Sequence, residues 1–188
     1  MKAKIDISEI CSDGKSIENG FHRSLVSKLI LTLIFGLFVL SGINAQTAMS
    51  FENAKQTLEP ASADHLQSLV TDIHPSVYLS QGERQNYGEG LPIVVDCDAG
   101  SVNILYGTDP TLSQLELIKI TANSASDLPS SIDLTQLQGL SNLKYVIVVF
   151  AYDACGGRTD ACLVSKLSGI VLGTSSQIKV LYKLSIPE

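Results

Sequence analysis

The sequence predicts an α/β protein, a small parallel or mixed sheet with strand-helix-strand crossovers, preceded by an N-terminal signal peptide. Three observations predict it. The run Leu29 to Leu40 is unbroken and apolar, set between a basic flank and small residues. Strand-like segments recur at Leu117 to Thr121, Tyr145 to Tyr152 and Gln177 to Ser185. The segments linking them carry helical spacing, and strands separated by helices favour parallel pairing with right-handed crossovers.

The apolar run follows His22, Arg23 and Lys28 and precedes Ser41-Gly42-Ile43-Asn44-Ala45-Gln46. That is the layout of a secretory signal, with cleavage expected after Ala45. A membrane-spanning helix needs about 20 predominantly apolar residues, and the polar tract from Ser41 to Ser50 does not lengthen the apolar core. Retention as a membrane anchor through residues 29–45 is the alternative. No cysteine directly follows the core, so a lipoprotein-type acyl anchor has no acceptor. Lys2, Lys4, Lys15 and Arg23 are offset by Asp6, Glu9, Asp13 and Glu18, unlike the short positive start of a signal. Either translation begins nearer Leu25 or Val26, or the leader is unusually long.

The chain therefore divides into a leader and signal peptide over 1–45, a polar linker or loose arm over 46–61, and a single globular domain over 62–188. Removing the leader takes five of the 13 Lys and Arg and four of the 19 Asp and Glu, leaving a net charge of −7. An acidic surface repels phosphate backbones, which argues against nucleic acid as a partner. The absence of Trp weighs against a sugar-stacking surface.

Within the domain, Leu66, Leu69, Val70 and Ile73 repeat at i, i+3, i+4 and i+7, with Ser62 or Asp64 as cap and Pro75 as terminator, which predicts a short amphipathic helix. His65 and His74 flank it, too far apart to make a metal site by themselves. Next come apolar runs at Val77 to Leu79, Pro92 to Asp96 and Val102 to Tyr106. The Gly-bearing segment Gln81 to Gly90 and Gly107-Thr108-Asp109-Pro110 separate them. Such short connections favour hairpins. Further on, Leu163, Leu167, Ile170 and Val171 predict a helix capped near Thr159 or Asp160 and ended by Gly173.

Leu112, Leu115, Ile118 and Ile120 have counterparts 28 residues later at Leu140, Leu143, Val146 and Val148. The shared form is L-x-x-L-x-x-[IV]-x-[IV], and the first copy continues through Asn123 to Leu128-Pro129. Ala151 stands where the second copy would carry its Asn. A third site, Ile178 with Val180, arrives 32 residues on. The pattern resembles the leucine-rich repeat, whose period includes 28 residues. The resemblance implies short parallel strands whose apolar faces are buried against the next unit, and protein recognition as the use of the fold.

Cys155 and Cys162 are the expected disulfide in an oxidising compartment, because six short, flexible residues lie between them. Cys97 is then left unpaired. Parallel strands would gather Asp96 and Asp98, Asn123, and then Asp153, Cys155 and Asp160 beyond one sheet edge, where ligands of open α/β sheets bind. Asp96, Asp98, Asp153 and Asp160 make a candidate metal set, with Ca²⁺ as the cofactor such oxygen ligands would take. The other reading is of turn residues accepting from local backbone donors. No catalytic signature is present: no G-x-S-x-G, no H-E-x-x-H and no phosphate-binding G-x-x-x-x-G-K-[ST]. The expected function is a secreted or periplasmic binding or interaction module for a protein or small ligand. The alternatives are a small extracytoplasmic hydrolase or metal-binding protein using the Asp cluster, and a structural envelope protein.

Overall fold

Alternation of side chains along extended segments sends successive residues to opposite faces of a sheet, and here both faces are needed. The computed structural model describes residues 48–186, apart from 138, 158, 159 and 174. The predicted leader and signal peptide, 1–45, lie outside the described residues. The strands are β1 (Met49–Ser50), β2 (Ser76–Ser80), β3 (Glu83–Tyr87), β4 (Val94–Cys97), β5 (Leu117–Ala122), β6 (Ile132–Asp133), β7 (Tyr145–Phe150), β8 (Val171–Leu172) and β9 (Lys179–Leu184). The helices are α1 (Phe51–Thr57), α2 (Pro60–Thr71) and α3 (Asp160–Ile170).

Seven strands form one mixed sheet in the order β1-β9-β7-β5-β4-β2-β3, and β6 pairs with β8 in a second, two-stranded one. Every neighbouring pair of the large sheet is parallel except β2 and β3. The 28-residue sequence offset is the register of its centre, because Ile118 stands opposite Val146 and Ile120 opposite Val148. All eight residues of the two sequence copies lie in one apolar core. The last strand takes a different register from the one expected: Val146 pairs with Val180 and Val148 with Tyr182. Ile178 is buried but precedes β9.

That core fills the space between one sheet face and the return segments. Val77, Val95, Ile118, Val146 and Val180 face it from successive strands, and Val102, Leu105, Leu134, Leu163 and Leu167 close it from the other side. On this face, among the described residues, only the return from β7 to β9 is α-helical. The link from β5 to β7 uses a 3₁₀ turn at Ala125–Asp127 and then β6, so the expected helical crossover is absent there. Gly173 follows β8 with φ 75°, and an added Cβ would meet the Thr135 methyl at 2.7 Å. Glycine is therefore required both for the backbone and for the close approach.

The opposite face carries Val94, Leu117, Tyr145, Ile147 and Leu181, covered by Phe51, Ala54, Leu66 and Leu69 of α1 and α2. Here the expected loose arm over 46–61 is corrected. Met49 and Ser50 pair with Leu181 and Tyr182, and the Ser50 hydroxyl caps α1 by accepting from Asn53 N–H at 3.1 Å. Helix α2 begins at Pro60, whose missing N–H costs nothing in the first turn, and not at Ser62 or Asp64. Ile73 lies beyond the helix and is fully exposed. Two further corrections concern the segment after α2. The expected separator Gln81 to Gly90 contains β3, and the expected strand at Val102 to Tyr106 is a 3₁₀ helix, Ala99–Leu105.

Phe51 is 1 % exposed on a seven-residue helix, and truncating a buried Phe to Ala typically costs about 3–5 kcal/mol. Urea unfolding of Phe51→Ala is expected to show a loss of about that size. A loose arm would give no change.

Candidate functional site

The two sheet faces are not covered equally. On the face that carries α1 and α2, one row runs Tyr78, Asp96, Lys119, Ile147 and Leu181 across consecutive strands. The next row toward the carboxyl ends runs Thr121, Val149 and Lys183. The helices bury the apolar side of the first row but leave Tyr78 at 44 % exposure and the side chains of Asp96 and Lys119 at 29 % each. Asp96 and Lys119 form an ion pair across adjacent strands. Thr121, Val149 and Lys183 are half-buried. A strip of mixed chemistry thus crosses the sheet where the alternation of the strands would otherwise demand apolar cover.

The strip ends in a cleft of about 320 Å³ beside Phe51, Asp160, Tyr182 and Lys183. The Lys183 ammonium sits 5.3 Å from the centre of the Phe51 ring, within range of a cation–π attraction. Burial pushes the Tyr182 phenol up to about 12, the Asp160 carboxylate hydrogen-bonded to it adds to the shift, and the Ser50 hydroxyl opposes it. At neutral pH the phenol is a proton donor.

The four candidate metal ligands have other occupations. Asp96 lies within β4 rather than beyond its end and pairs with Lys119. Asp98 follows β4 and accepts from Ser101 N–H at 2.8 Å, Gln81 N–H at 2.8 Å and the Ser80 hydroxyl at 3.1 Å. Asp153 accepts from the backbone N–H groups of Cys155 and Gly157 at 3.2 and 3.0 Å. Asp160 opens α3 and bonds Tyr182. Among the described residues, no group of three or more His, Cys, Asp or Glu side chains is placed to hold a metal ion. Asn123, also expected at this edge, directly follows β5 and donates its backbone N–H to Asp127 at 3.0 Å.

Cys155 and Cys162 are joined in a disulfide that ties the loop after β7 to the first turn of α3. Such a bond persists in oxidising compartments and suggests an extracytoplasmic setting. Cys97 is free and buried in the core, and burial together with Asp96 and Asp98 raises its thiol to about 12, so it carries little thiolate character. Among the described residues, no helix is long and apolar enough to cross a membrane.

One polar cluster escaped the sequence reading. Glu116, just before β5, accepts from Lys144 at 2.7 Å and contacts His65 Nε2 of α2 at 2.8 Å. Partial burial opposes its charge, but Lys144 and His65 outweigh it and hold the carboxyl below its ordinary value. The cluster pins α2 to the amino ends of β5 and β7, away from the strip. Glu116 and Lys144 lie 28 positions apart, the offset of the two sequence copies, so that spacing could have suggested their contact, whereas His65 lies 51 positions from Glu116 with no spacing to signal it. The other flanking histidine, His74, contacts the Ser68 carbonyl at 3.0 Å.

For Asp98, partial burial again works against the charge, and the donors from Gln81, Ser101 and Ser80 outweigh it, so its pKa is lowered. A lowered folded-state pKa contributes stability that is present above the unfolded value, about 3.9, and is lost as pH falls through the folded one. Asp98→Asn is expected to be less stable than the parent at neutral pH by about 1–3 kcal/mol. The gap should narrow as thermal melts are taken below about pH 4. Separately, Cys155→Ser with Cys162→Ser should lower stability by about 2–3 kcal/mol in urea titrations, the chain-entropy value for so short a loop.

Compared with protein-family models, with curated proteins and with solved structures, the chain matches none.

Proposed function

We propose that this protein is an exported binding module that receives a protein or small ligand on the uncovered strip of its sheet. The observation that carries the reading is the unequal cover of the α1 and α2 face. Four strands bring Tyr78, Asp96, Lys119, Thr121 and Lys183 to one partly open surface. A hydrogen-bond donor, a carboxylate, two ammonium groups and an aromatic ring on rigid strands suit recognition, since sites on strands hold their geometry better than sites on loops. The adjoining cleft has the volume of a small-ligand pocket.

The sheet is organised in the manner of a leucine-rich repeat, with residues 1–45 acting as the export signal. Supporting this are the chain-order succession of β4, β5, β7 and β9, the 28-residue register at its centre and the short 3₁₀ returns. The disulfide supports an extracytoplasmic site of action.

The test is site-specific photo-crosslinking of the full chain, with a photoreactive side chain at Thr121 or, as control, at Ser168 on the exposed side of α3. Exposed to the extracytoplasmic fraction of its own host, the Thr121 probe is expected to give a discrete adduct and the Ser168 probe none. Equal labelling at both positions, or none at Thr121, overturns the reading.

A further inference from the structure

Strand β3 is a five-residue edge with every residue exposed. Of the devices by which edges are usually blunted, it carries two charged side chains, Glu83 and Arg84, and no Pro, Lys or bulge. Its hydrogen-bonding frame follows from its neighbours. Gln81 and Gly82 both have positive φ, 52° and 84°, the signature of the two-residue turn that closes a hairpin on a hydrogen-bonded pair. That pair is Ser80 with Glu83. The other edge of β2 agrees, because the Leu79 and Pro75 carbonyls accept from β4-side donors, Asp98 N–H and Ile93 N–H, which leaves Ser76, Tyr78 and Ser80 to bond β3. On β3, then, Glu83, Gln85 and Tyr87 turn their backbone groups inward. The N–H and C=O of Arg84 and Asn86 point outward, without a strand to meet them among the described residues.

We propose that β3 pairs antiparallel with β3 of a second copy of this chain, on a two-fold axis through Gln85. That register matches the frame: Arg84 and Asn86 of one copy exchange main-chain bonds with Asn86 and Arg84 of the other, four in all. It sets Glu83 opposite Tyr87, a carboxylate facing a phenol, and Arg84 opposite the Asn86 amide, so no like charges meet. An axis through Arg84 would oppose two guanidinium groups, which destabilises a sheet. The edge itself is polar, but exposed aromatic and aliphatic side chains flank it. Of the six exposed large hydrophobic residues among those described, Tyr78, Tyr87 and Leu91 lie here. Tyr78 lines a depression of about 360 Å³ with Gln85, while Tyr87 and Leu91 line one of about 280 Å³ with Arg84. An interface of one strand pair and its flanks is small, so the dimer belongs to the weak, exchanging class. The dimer shares Tyr78 with the strip but does not depend on the strip's binding a ligand.

The test is a symmetric disulfide trap in the full chain carrying Cys11→Ser, so that no leader thiol competes. Gln85 would meet its own copy as a non-hydrogen-bonded pair with Cα atoms about 4.5 Å apart, inside the range of about 4.4–6.8 Å that a disulfide spans. Gln85→Cys is therefore expected to give a covalent dimer on non-reducing gels. Glu83→Cys, roughly 13 Å from its own copy in that register, should stay monomeric. Adding Asn86→Pro to Gln85→Cys removes an outward donor that β2 does not use and should abolish the trap, with circular dichroism unchanged. Failure of Gln85→Cys to cross-link, equal cross-linking of Glu83→Cys, or an adduct with a different protein in place of the dimer overturns the proposal. The two cysteine variants alone decide it if the proline variant does not fold.

Discussion

The register of β5 against β7 is the constraint on which the rest of the domain depends. Fixing Ile118 opposite Val146 and Ile120 opposite Val148 sends Leu117, Tyr145 and Ile147 to the other side, and so determines both cores at once. A slip of one residue would exchange the two faces. It would place Lys119 in the core closed by the 3₁₀ turns and α3, and lift Ile118 against α1 and α2. Five of the six residues of β7 are buried, which makes it the strand least able to move. Parallel strands buried on both faces read as continuous apolar runs, and Tyr145-Val146-Ile147-Val148-Val149-Phe150 is such a run.

What could be read from the sequence followed from burial on a regular period. The segments at 117–121, 145–152 and 177–185 are strands within two residues of their ends, and α3 begins at Asp160 as expected but ends at Ile170, because Val171, expected in the helix, opens β8 and the expected terminator Gly173 follows that strand. The cysteine pair was legible from its spacing. What escaped notice lacks that period. Helix α1 has seven residues with two of them buried, too few turns to show a stripe. Strand β3 is polar on both sides because it is exposed on both, so alternation gives it no signature. At Val102, Ile104 and Tyr106 an apolar alternation imitates a strand. Val102 and Leu105 are the residues buried, while Ile104 is 45 % exposed, and the Asp98 cap on Ser101 N–H starts a 3₁₀ turn instead.

The candidate site divides in the same way. The Asp residues drew attention by their chemistry, and most of their oxygen atoms are taken up by nearby donors: Asp98 fastens the β2–β3 turn to the segment after β4, and Asp153 organises the loop that carries Cys155. The uncovered strip could not be read, because no residue on it is unusual by type. Its character comes from where α1 and α2 stop covering the sheet, a matter of tertiary packing against strands that, apart from β2, lie more than 20 positions away.

The pairing of β1 with β9 has a consequence for how the fold is completed. Repeat arrays grow by adding units to an already folded end, and each addition stands on the last. Here Met49 and Ser50, among the earliest described residues to be synthesised, find their partners in Leu181 and Tyr182, among the latest. Phe51 and Ala54 therefore lack part of their cover until the C-terminal strand has been made. Chain closure thus turns an open-ended row of strands into a single all-or-none unit, and a ribosome stalled short of β9 would hold a chain whose first helix has no complete surface on which to dock.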